Sequence, residues 1–240
     1  EGRERVYYSM GQDSRFDERV MEWVKVIRAK AKLGAQPPGE FLVLDHLLHE
    51  LRLIKSKAEI DLMQKAATIS AEGHRQAMAV CKPGIREYAM EAELNYAFMR
   101  GGSRAPAYCS IVAAGDNACI LHYDRNDDEV KDGDLILIDA GCEYQYYASD
   151  ITRTFPANGK FNPQQKAIYE LVLKAQDAAI AAVQPGAAWD APHNASVKTI
   201  TQGLIKLGLI KGTLAQALKV EAYRDFYMHR VGHWIGIDVH

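Results

Sequence analysis

The chain has 240 residues, of which 48% are hydrophobic and 25% are charged, a composition typical of a globular protein with one large domain or a domain and part of another. The 29 basic and 31 acidic residues leave a formal net charge of -2, and no basic stripe stands out, so nucleic acid is not favoured as a partner. No apolar run approaches the roughly 20 residues that span a bilayer, and the polar start EGRERVYYSMGQ is unlike a signal peptide, so we expect no membrane association.

The four cysteines do not form a metal-binding or redox motif. None belongs to a CxxC pair, and their neighbours are mostly apolar or small: Cys81, Cys109, Cys119 and Cys142. Such residues are typical of free, buried thiols in a reducing compartment. We therefore predict a cytoplasmic protein.

The first 55 residues predict the end of a separate N-terminal domain. Apolar residues at spacings of three and four indicate an amphipathic helix from Asp13 to Lys32, which Gly34 and the Pro37-Pro38-Gly39 turn bring to an end. A second apolar segment follows from Phe41 to Ile54. We place the domain boundary in this region, with residues 1–45 as N-terminal domain and linker and residues 46–240 as the main domain.

Two helices and two strands are predicted next. Ser56 and Glu59 form a capping box that starts a helix running to about Cys81. A second helix covers Ile85 to Met99. Two strand-like runs, Ala107 to Ala113 and Ala118 to Tyr123, are separated by a Gly-Asp-Asn turn.

The segment from Leu135 to Pro156, LILIDAGCEYQYYASDITRTFP, predicts a β-hairpin that carries two aspartates. If the chain turns between Tyr144 and Gln145, Asp139 and Asp150 lie directly opposite each other, on one face, with Cβ atoms roughly 4.5–5.5 Å apart. Two carboxylates there repel unless a proton or one or two divalent cations lie between them. The plain alternative is a hairpin with two solvated aspartates.

The remaining chain repeats the pattern of two helices followed by strands. Asn162 and Pro163 start one helix, which Pro185-Gly186 ends, and a second helix covers Ser196 to Leu207. A short helical patch near Leu214 to Ala222 precedes a strand-like run from Phe226 to His240. This order predicts an α+β domain in which a curved antiparallel sheet carries helices on its outer face.

Histidines supply the other candidate site residues. His229 and His233 are four apart, which places them on one face of a helix or a strand, and their glycine and apolar neighbours favour a strand. His240 ends the same run, and His122 ends the strand-like run at 118–123. Imidazoles beside paired carboxylates indicate a hydrolytic divalent metal. Each histidine taken alone is better explained by an ordinary hydrogen-bonded role, whereas three of them within twelve residues, together with the carboxylate hairpin, favour a metal site.

These segments together resemble a known family. DAGCEYQYYASDITRTFPANGKF followed by MHRVGHWIGIDVH is similar to the Xaa-Pro aminopeptidases, that is, bacterial aminopeptidase P, which belong to the pita-bread metallopeptidases with prolidase and methionine aminopeptidase. The resemblance covers about residues 45–240. Prolidase shares the hairpin motif, whereas the HELRLIKS segment and the MHRxxHW form favour aminopeptidase P.

The resemblance implies a pita-bread catalytic domain over residues 46–240, preceded by a remnant of an N-terminal domain. It implies two divalent metal ions, usually manganese, with Asp139, Asp150 and His233 as metal ligands and Asp150 bridging the ions. His122, His229 and His240 would line the substrate site and assist proton transfer. The family also has two glutamate ligands after the last histidine, and these are absent from the sequence, so we expect a catalytic domain truncated at its C-terminus.

The implied activity is release of the N-terminal residue from peptides with proline in the second position, by a metal-bound hydroxide. The implied assembly is a homo-oligomer, a dimer or a tetramer. Two alternatives remain open from the sequence: prolidase, which cleaves Xaa-Pro dipeptides, and a non-catalytic pita-bread module that binds peptide or protein, or an inactive fragment.

Overall fold

The computed structural model describes residues 3–237, which divide into two compact units with the division between Ile60 and Asp61. In the first unit, strand β1 (Arg5–Tyr8) pairs in parallel with β2 (Glu40–Val43), and helix α1 (Ser14–Ala29) connects them. Helix α2 (Asp45–Leu53) also belongs to this unit, whereas the sequence prediction placed the division between residues 45 and 46, at the start of this helix.

The second unit begins with two long helices, as predicted. Helix α3 (Lys57–Val80) starts at the expected capping box: Glu59 N–H donates to Ser56 Oγ at 3.4 Å, and Ser56 N–H donates to Glu59 Oε2 at 2.6 Å. Helix α4 (Glu87–Arg100) follows. The buried faces of α3 and α4 supply the main hydrophobic core, which contains Ile69, Met90, Leu94 and Phe98.

Two antiparallel sheets pack on this core. Their strands are β3 (Ala105–Pro106), β4 (Ile111–Ala114), β5 (Leu135–Asp139), β6 (Cys142–Tyr144), β7 (Tyr147–Ala148) and β8 (Thr152–Pro156). Strands β3, β6 and β7 form one three-stranded sheet, and β4, β5 and β8 form the other, with β5 in the middle. Successive residues of a strand point to opposite faces, and the inward side chains Ile136 and Ile138 of β5 are fully buried.

Three further helices form a second hydrophobic cluster. They are α5 (Pro163–Ala181), α6 (Ala191–Lys206) and α7 (Leu214–Lys219). The predicted cap of α5 is confirmed, because Asn162 Oδ1 accepts a hydrogen bond from the backbone N–H of Gln165 at 2.8 Å. None of the helices among residues 3–237 has the length and apolar content that crossing a membrane requires.

The predicted hairpin is present, but its register differs from the prediction. Tyr144 pairs with Tyr147, so Gln145 and Tyr146 form a two-residue turn in which both φ angles are positive, at 50° and 71°. A turn of type I′ has this property, and Asn-Gly is its usual signal. Asp139 therefore pairs with Thr152, and the prediction that it lies directly opposite Asp150 is wrong by two residues.

Two other predicted strands are wrong. Residues 115–119 form a 3₁₀ helix and residues 120–123 are irregular, because this segment is held by hydrogen bonds to buried polar side chains rather than by a partner strand. Residues 226–237 are also irregular in the structure, although Gly236 O accepts a hydrogen bond from Ala148 N–H at 2.9 Å. Residues 238–240 lie outside the described part of the chain.

The prediction of buried thiols holds for only part of the set. All four cysteines are free, and Cys142 is buried in the main core, but Cys109 and Cys119 are exposed and Cys81 is half-buried. Cys119 lies in the predicted strand 118–123, which the structure does not form, and Cys109 lies in residues 107–110, which the sequence assigned to a strand but which precede β4. Without a sheet to cover them, their small apolar neighbours do not bury them.

Gly141 allows the two arms of the hairpin to approach closely next to Asp150. A Cβ atom at Gly141 would overlap the backbone carbonyl of Ser149, and backbone cannot move aside as a flexible side chain can. We expect Gly141→Ala to lower the free energy of unfolding by at least about 2 kcal/mol. Guanidinium unfolding followed by circular dichroism measures this loss.

Gly232→Ala is the matched control for that variant, because a Cβ atom at Gly232 meets nothing within 4 Å. We expect it to change stability by less than about 0.5 kcal/mol. Equal unfolding midpoints for the two variants would show that the arms separate readily at Gly141, contrary to the geometry described.

Candidate active site

The two hairpin aspartates converge on one hydroxyl group. Tyr108 Oη lies 2.7 Å from Asp139 Oδ1 and 2.8 Å from Asp150 Oδ1, and a phenol has a single proton to donate. The two-residue difference in register does not move Asp150 to the other face of the hairpin, because side chains alternate with a period of two. The carboxylates are therefore neighbours along a diagonal rather than directly opposite each other.

The environment of Tyr108 keeps its phenol protonated. Burial raises the pKa of Tyr108 far above its ordinary value, and the hydrogen bonds and negative charges of Asp139 and Asp150 raise it further. A neutral phenol shares its one proton between the two carboxylates, and its contacts with both orient them. The phenol does not neutralise the two carboxylates, so they still repel each other unless a positive charge lies between them.

His233, in the irregular C-terminal segment, contacts one of these two carboxylates, that of Asp150. Its Nε2 lies 3.1 Å from Asp150 Oδ2, and its Nδ1 lies 2.7 Å from the backbone carbonyl of Trp234. A carbonyl oxygen only accepts hydrogen bonds, so Nδ1 carries a proton. Nε2 is then the nitrogen that faces the Asp150 carboxylate. Metal-ligating histidines commonly have this arrangement, in which one nitrogen donates to a backbone carbonyl and the other faces the metal.

One cavity of about 980 Å³ contains most of the predicted site residues. Asp139, Asp150, His122, His229 and His233 all line it. Tyr108, Leu137, Thr152, Arg153 and Ile235 contribute to the same walls. His240, the remaining predicted site residue, lies outside the described residues.

The loop that carries His122 is held by a buried carboxylate. Glu87 on α4 is fully buried, and its two oxygens accept hydrogen bonds from the backbone N–H groups of Ala114 and Asp128, the amide of Asn117 and the hydroxyl of Tyr123. Burial and the hydrogen bond to Glu87 raise the pKa of Tyr123 to about 12.

These contacts surround His122 on both sides along the chain. His122 itself has a positive φ of 54°, an uncommon conformation for a residue with a side chain. Such conformations cost free energy, so they persist only where the surrounding structure holds the backbone in place. They are found most often at functional sites. Here the hydrogen bonds of Glu87 hold the chain on both sides of His122.

The donor atoms at this site fit a divalent cation. Two carboxylates and one imidazole line the same cavity, and this mixture of oxygen and nitrogen ligands suits manganese, zinc and related ions. Residues 3–237 contain no set of three or more His, Cys, Asp and Glu side chains already arranged around a single point that an ion could occupy. Asp139, Asp150 and His233 are adjacent in pairs, through the hydroxyl of Tyr108 and through the contact of His233 with Asp150.

Sequence reasoning missed Tyr108 and Glu87. Tyr108 lies in a run that was assigned to a strand for its apolar content, and no local motif marks its hydroxyl. Glu87 lies near the start of a helix, where an acidic residue has an ordinary explanation in the helix dipole. Its role depends on contacts with residues 27 to 41 positions away in the chain.

Comparisons with known proteins identify the family of this chain. Residues 61–240 match Metallopeptidase family M24. The Xaa-Pro aminopeptidase of Haemophilus influenzae is 53% identical over 202 residues, covering 84% of this chain and 47% of that protein. The Xaa-Pro dipeptidase of Mus musculus is 39% identical over 211 residues, covering 84% of this chain and 43% of that protein.

The fold is shared with a solved structure. The structure of Pseudomonas aeruginosa aminopeptidase PepP superposes with a TM-score of 0.97 at 60% identity, covering 100% of this chain and 54% of that chain. The chain thus spans about half the length of the proteins that it matches. The predicted α+β pita-bread fold is confirmed, and the chain belongs to metallopeptidase family M24.

Proposed function

We propose that the whole protein is a metal-dependent aminopeptidase that releases the N-terminal residue from peptides with proline in the second position. The observation that carries this proposal is the presence of Asp139, Asp150 and His233 in one large cavity, where Tyr108 links the two aspartates and His233 contacts Asp150. His122 and His229 line the same cavity. The similarity to proteins named Xaa-Pro aminopeptidase supports the reaction and the substrate class.

Each of these side chains has a role in the proposal. Asp139, Asp150 and His233 are the metal ligands, and two divalent ions, manganese first, are the expected occupants. When bound, the cations supply Lewis acidity, which polarises a peptide carbonyl and makes water acidic enough to attack it at neutral pH. The Tyr108 hydroxyl lies within hydrogen-bond distance of both aspartates, shares its one proton between them and holds the two carboxylates next to each other.

The histidines that line the cavity handle substrate and protons. His122 and His229 are exposed and line the cavity, and imidazole is the side chain that most often transfers protons in enzymes. We assign them to proton transfer and to stabilisation of the charge that develops on the attacked carbonyl. His240 keeps the same proposed role.

An Xaa-Pro bond calls for this kind of site. The proline nitrogen carries no hydrogen, so a peptidase that recognises the N–H of the scissile bond loses that contact. Recognition must therefore depend on the free amino group, the carbonyl and the proline ring. A cavity of about 980 Å³ with charged groups on its walls is large enough to accept a short peptide.

The nearest competing function is that of an Xaa-Pro dipeptidase, which the similarity to the mouse enzyme favours. The two activities differ in substrate length, and the test is direct. The whole protein, freed of metal, is supplied with manganese and given an Xaa-Pro dipeptide and an Xaa-Pro-Xaa tripeptide at equal concentrations. We expect metal-dependent release of the first residue from the tripeptide and much slower cleavage of the dipeptide.

The other outcomes of this experiment decide between the alternatives. Faster cleavage of the dipeptide would establish dipeptidase activity. Binding of the tripeptide with no release at any metal concentration would favour a non-catalytic pita-bread module. The paired carboxylates argue against that module, because holding two like charges together is costly and serves no purpose in a protein that binds no cation.

Compartment and assembly complete the proposal. Four free thiols, two of them exposed, support a reducing compartment, and we propose the cytoplasm. We also propose a homo-oligomer, a dimer or a tetramer, on the family resemblance. Light scattering coupled to size-exclusion chromatography of the whole protein measures that mass directly.

A further inference from the structure

Helix α3 contacts the hairpin between the two aspartates through three successive turns. Ala66, Ser70 and His74 are four residues apart, so they form one stripe along the helix, and all three are buried. The backbone carbonyl of Ala66 accepts a hydrogen bond from Cys142 Sγ at 3.4 Å, and His74 Nε2 lies 3.0 Å from the backbone carbonyl of Ala140. Ser70 lies between these two contacts.

Ser70 takes part in a closed ring of hydrogen bonds. Ser149 Oγ donates to the carbonyl of Cys142 at 2.9 Å, so the 2.7 Å contact between the two serine oxygens uses the proton of Ser70. The backbone N–H of Cys142 then donates to Ser70 Oγ at 2.8 Å and to Ser149 Oγ at 3.1 Å. Every hydroxyl proton in the ring is committed.

This ring stands where a regular sheet would use its own backbone. A hydrogen-bonded pair in an antiparallel sheet exchanges two N–H···O bonds. Cys142 and Ser149 form one of them, from Ser149 N–H to Cys142 O at 3.0 Å, but the N–H of Cys142 is directed to the two hydroxyls instead. The distance between the arms is therefore set here by side chains, one of which comes from α3.

His74 contacts the arm that carries Asp139. A carbonyl only accepts, so Nε2 is the protonated nitrogen and donates to Ala140 O. Burial lowers the pKa of His74, in agreement with a neutral ring of one tautomer. Ala140 directly follows Asp139, and Ser149 directly precedes Asp150, so α3 contacts the chain beside each aspartate once.

We propose that Ser70 and His74 are positioning residues that set the separation and direction of the Asp139 and Asp150 carboxylates. This inference rests on the proposed function of those carboxylates as a cation site. Neither residue lines the cavity, so both act through the backbone beside the aspartates. Partners of this kind, which orient a ligand without touching the metal, are worth about 10–100-fold in metal affinity.

The experiment measures manganese affinity directly, by titration calorimetry of the metal-free whole protein. Ser70→Ala removes only the hydroxyl, and we expect the dissociation constant to rise about tenfold. His74→Leu removes the donor to Ala140 and should have a similar effect. His74→Gln retains an N–H at the position of Nε2, so we expect its affinity to return close to the wild-type value.

Thr201→Val is the matched control for a buried hydroxyl. Thr201 is fully buried, and its Oγ1 donates to Val197 O at 2.6 Å within α6, away from the hairpin. This variant should lose stability to a degree similar to Ser70→Ala and keep wild-type manganese affinity. Stability alone would then not explain the effect of Ser70→Ala.

Asp150→Asn separates this inference from the proposal on which it rests. If Asp150→Asn weakens manganese binding while Ser70→Ala and His74→Leu leave it unchanged, the positioning role is refuted and the cation site stands. If Asp150→Asn binds manganese as well as the wild type, both are refuted. An equal loss of affinity in Thr201→Val and Ser70→Ala would also refute the positioning role.

Discussion

Asp150→Asn is expected to lower kcat/KM of the whole protein for an Xaa-Pro-Xaa tripeptide by at least about 10³-fold. Asp150 contacts both Tyr108 and His233, so it connects the pair of carboxylates to the imidazole. The substitution keeps the shape of the side chain and removes its charge. Since a bound cation contributes several kcal/mol to stabilising charge in the transition state, losing its ligand costs a comparable amount.

Asp132→Asn is the control for that substitution. Asp132 accepts a hydrogen bond from Asn158 Nδ2 at 2.7 Å in an exposed turn, and it does not line the cavity. We expect its kcat/KM to match that of the wild type. The site assignment fails if Asp150→Asn keeps more than about a tenth of wild-type activity with saturating manganese, which corresponds to a loss below about 1.4 kcal/mol.

Glu87→Gln is expected to lower the free energy of unfolding by about 3 kcal/mol. The carboxylate of Glu87 is fully buried and accepts four hydrogen bonds, two of them from backbone N–H groups. Glutamine replaces one acceptor oxygen by an NH₂ group that faces donors. At least one buried donor then has no partner, and the charge that strengthened the other bonds is lost. Guanidinium unfolding of the variant measures the difference.

Glu129→Gln tests whether burial causes that loss. Glu129 forms an exposed ion pair with Arg86, with 3.5 Å between Oε2 and Nη2, and exposed pairs contribute at most about 1 kcal/mol. An equal loss of stability in the two variants would refute the role of the Glu87 network.

Alkaline pH supplies a second measurement on Glu87→Gln. The raised pKa of Tyr123, about 12, keeps its proton on in the folded protein while the unfolded chain ionises near pH 10, so this contribution to stability is lost between those pH values. In Glu87→Gln the pKa of Tyr123 should fall toward its ordinary value, because the hydrogen bond and the charge of the carboxylate are gone. The difference in stability between wild type and variant should therefore narrow as pH rises.

Local chemistry predicted most helices of this chain and the hairpin itself. Asp13, Ser56 and Asn162 each begin a helix through a side-chain hydrogen bond to the first turn, and such caps depend only on residues within three positions. The face shared by Asp139 and Asp150 also followed from local alternation. A register error of two residues left it intact, whereas an error of one would have reversed it.

Long-range contacts explain what the sequence did not predict. The turn at Gln145 and Tyr146 has positive φ angles without glycine or asparagine, so its position depends on the pairing of the arms. The apolar residues at 226–237 indicated a strand, but a strand requires a partner, and periodicity cannot supply one. Tyr108, Glu87 and Ser70 acquire their roles through contacts more than 25 residues away in the chain.

The two-residue turn at the tip of the hairpin determines how insertions in its second arm affect the position of Asp150. Gln145 and Tyr146 form a two-residue turn, and Asp139 and Asp150 lie several residues away, one on each arm. One residue inserted between Tyr147 and Asp150, with the pairing at the tip preserved, would carry the Asp150 carboxylate to the opposite side of the ribbon. Two inserted residues would return the Asp150 carboxylate to its original side and only increase its distance from the turn. We therefore expect insertions of an even number of residues to be better tolerated than insertions of an odd number.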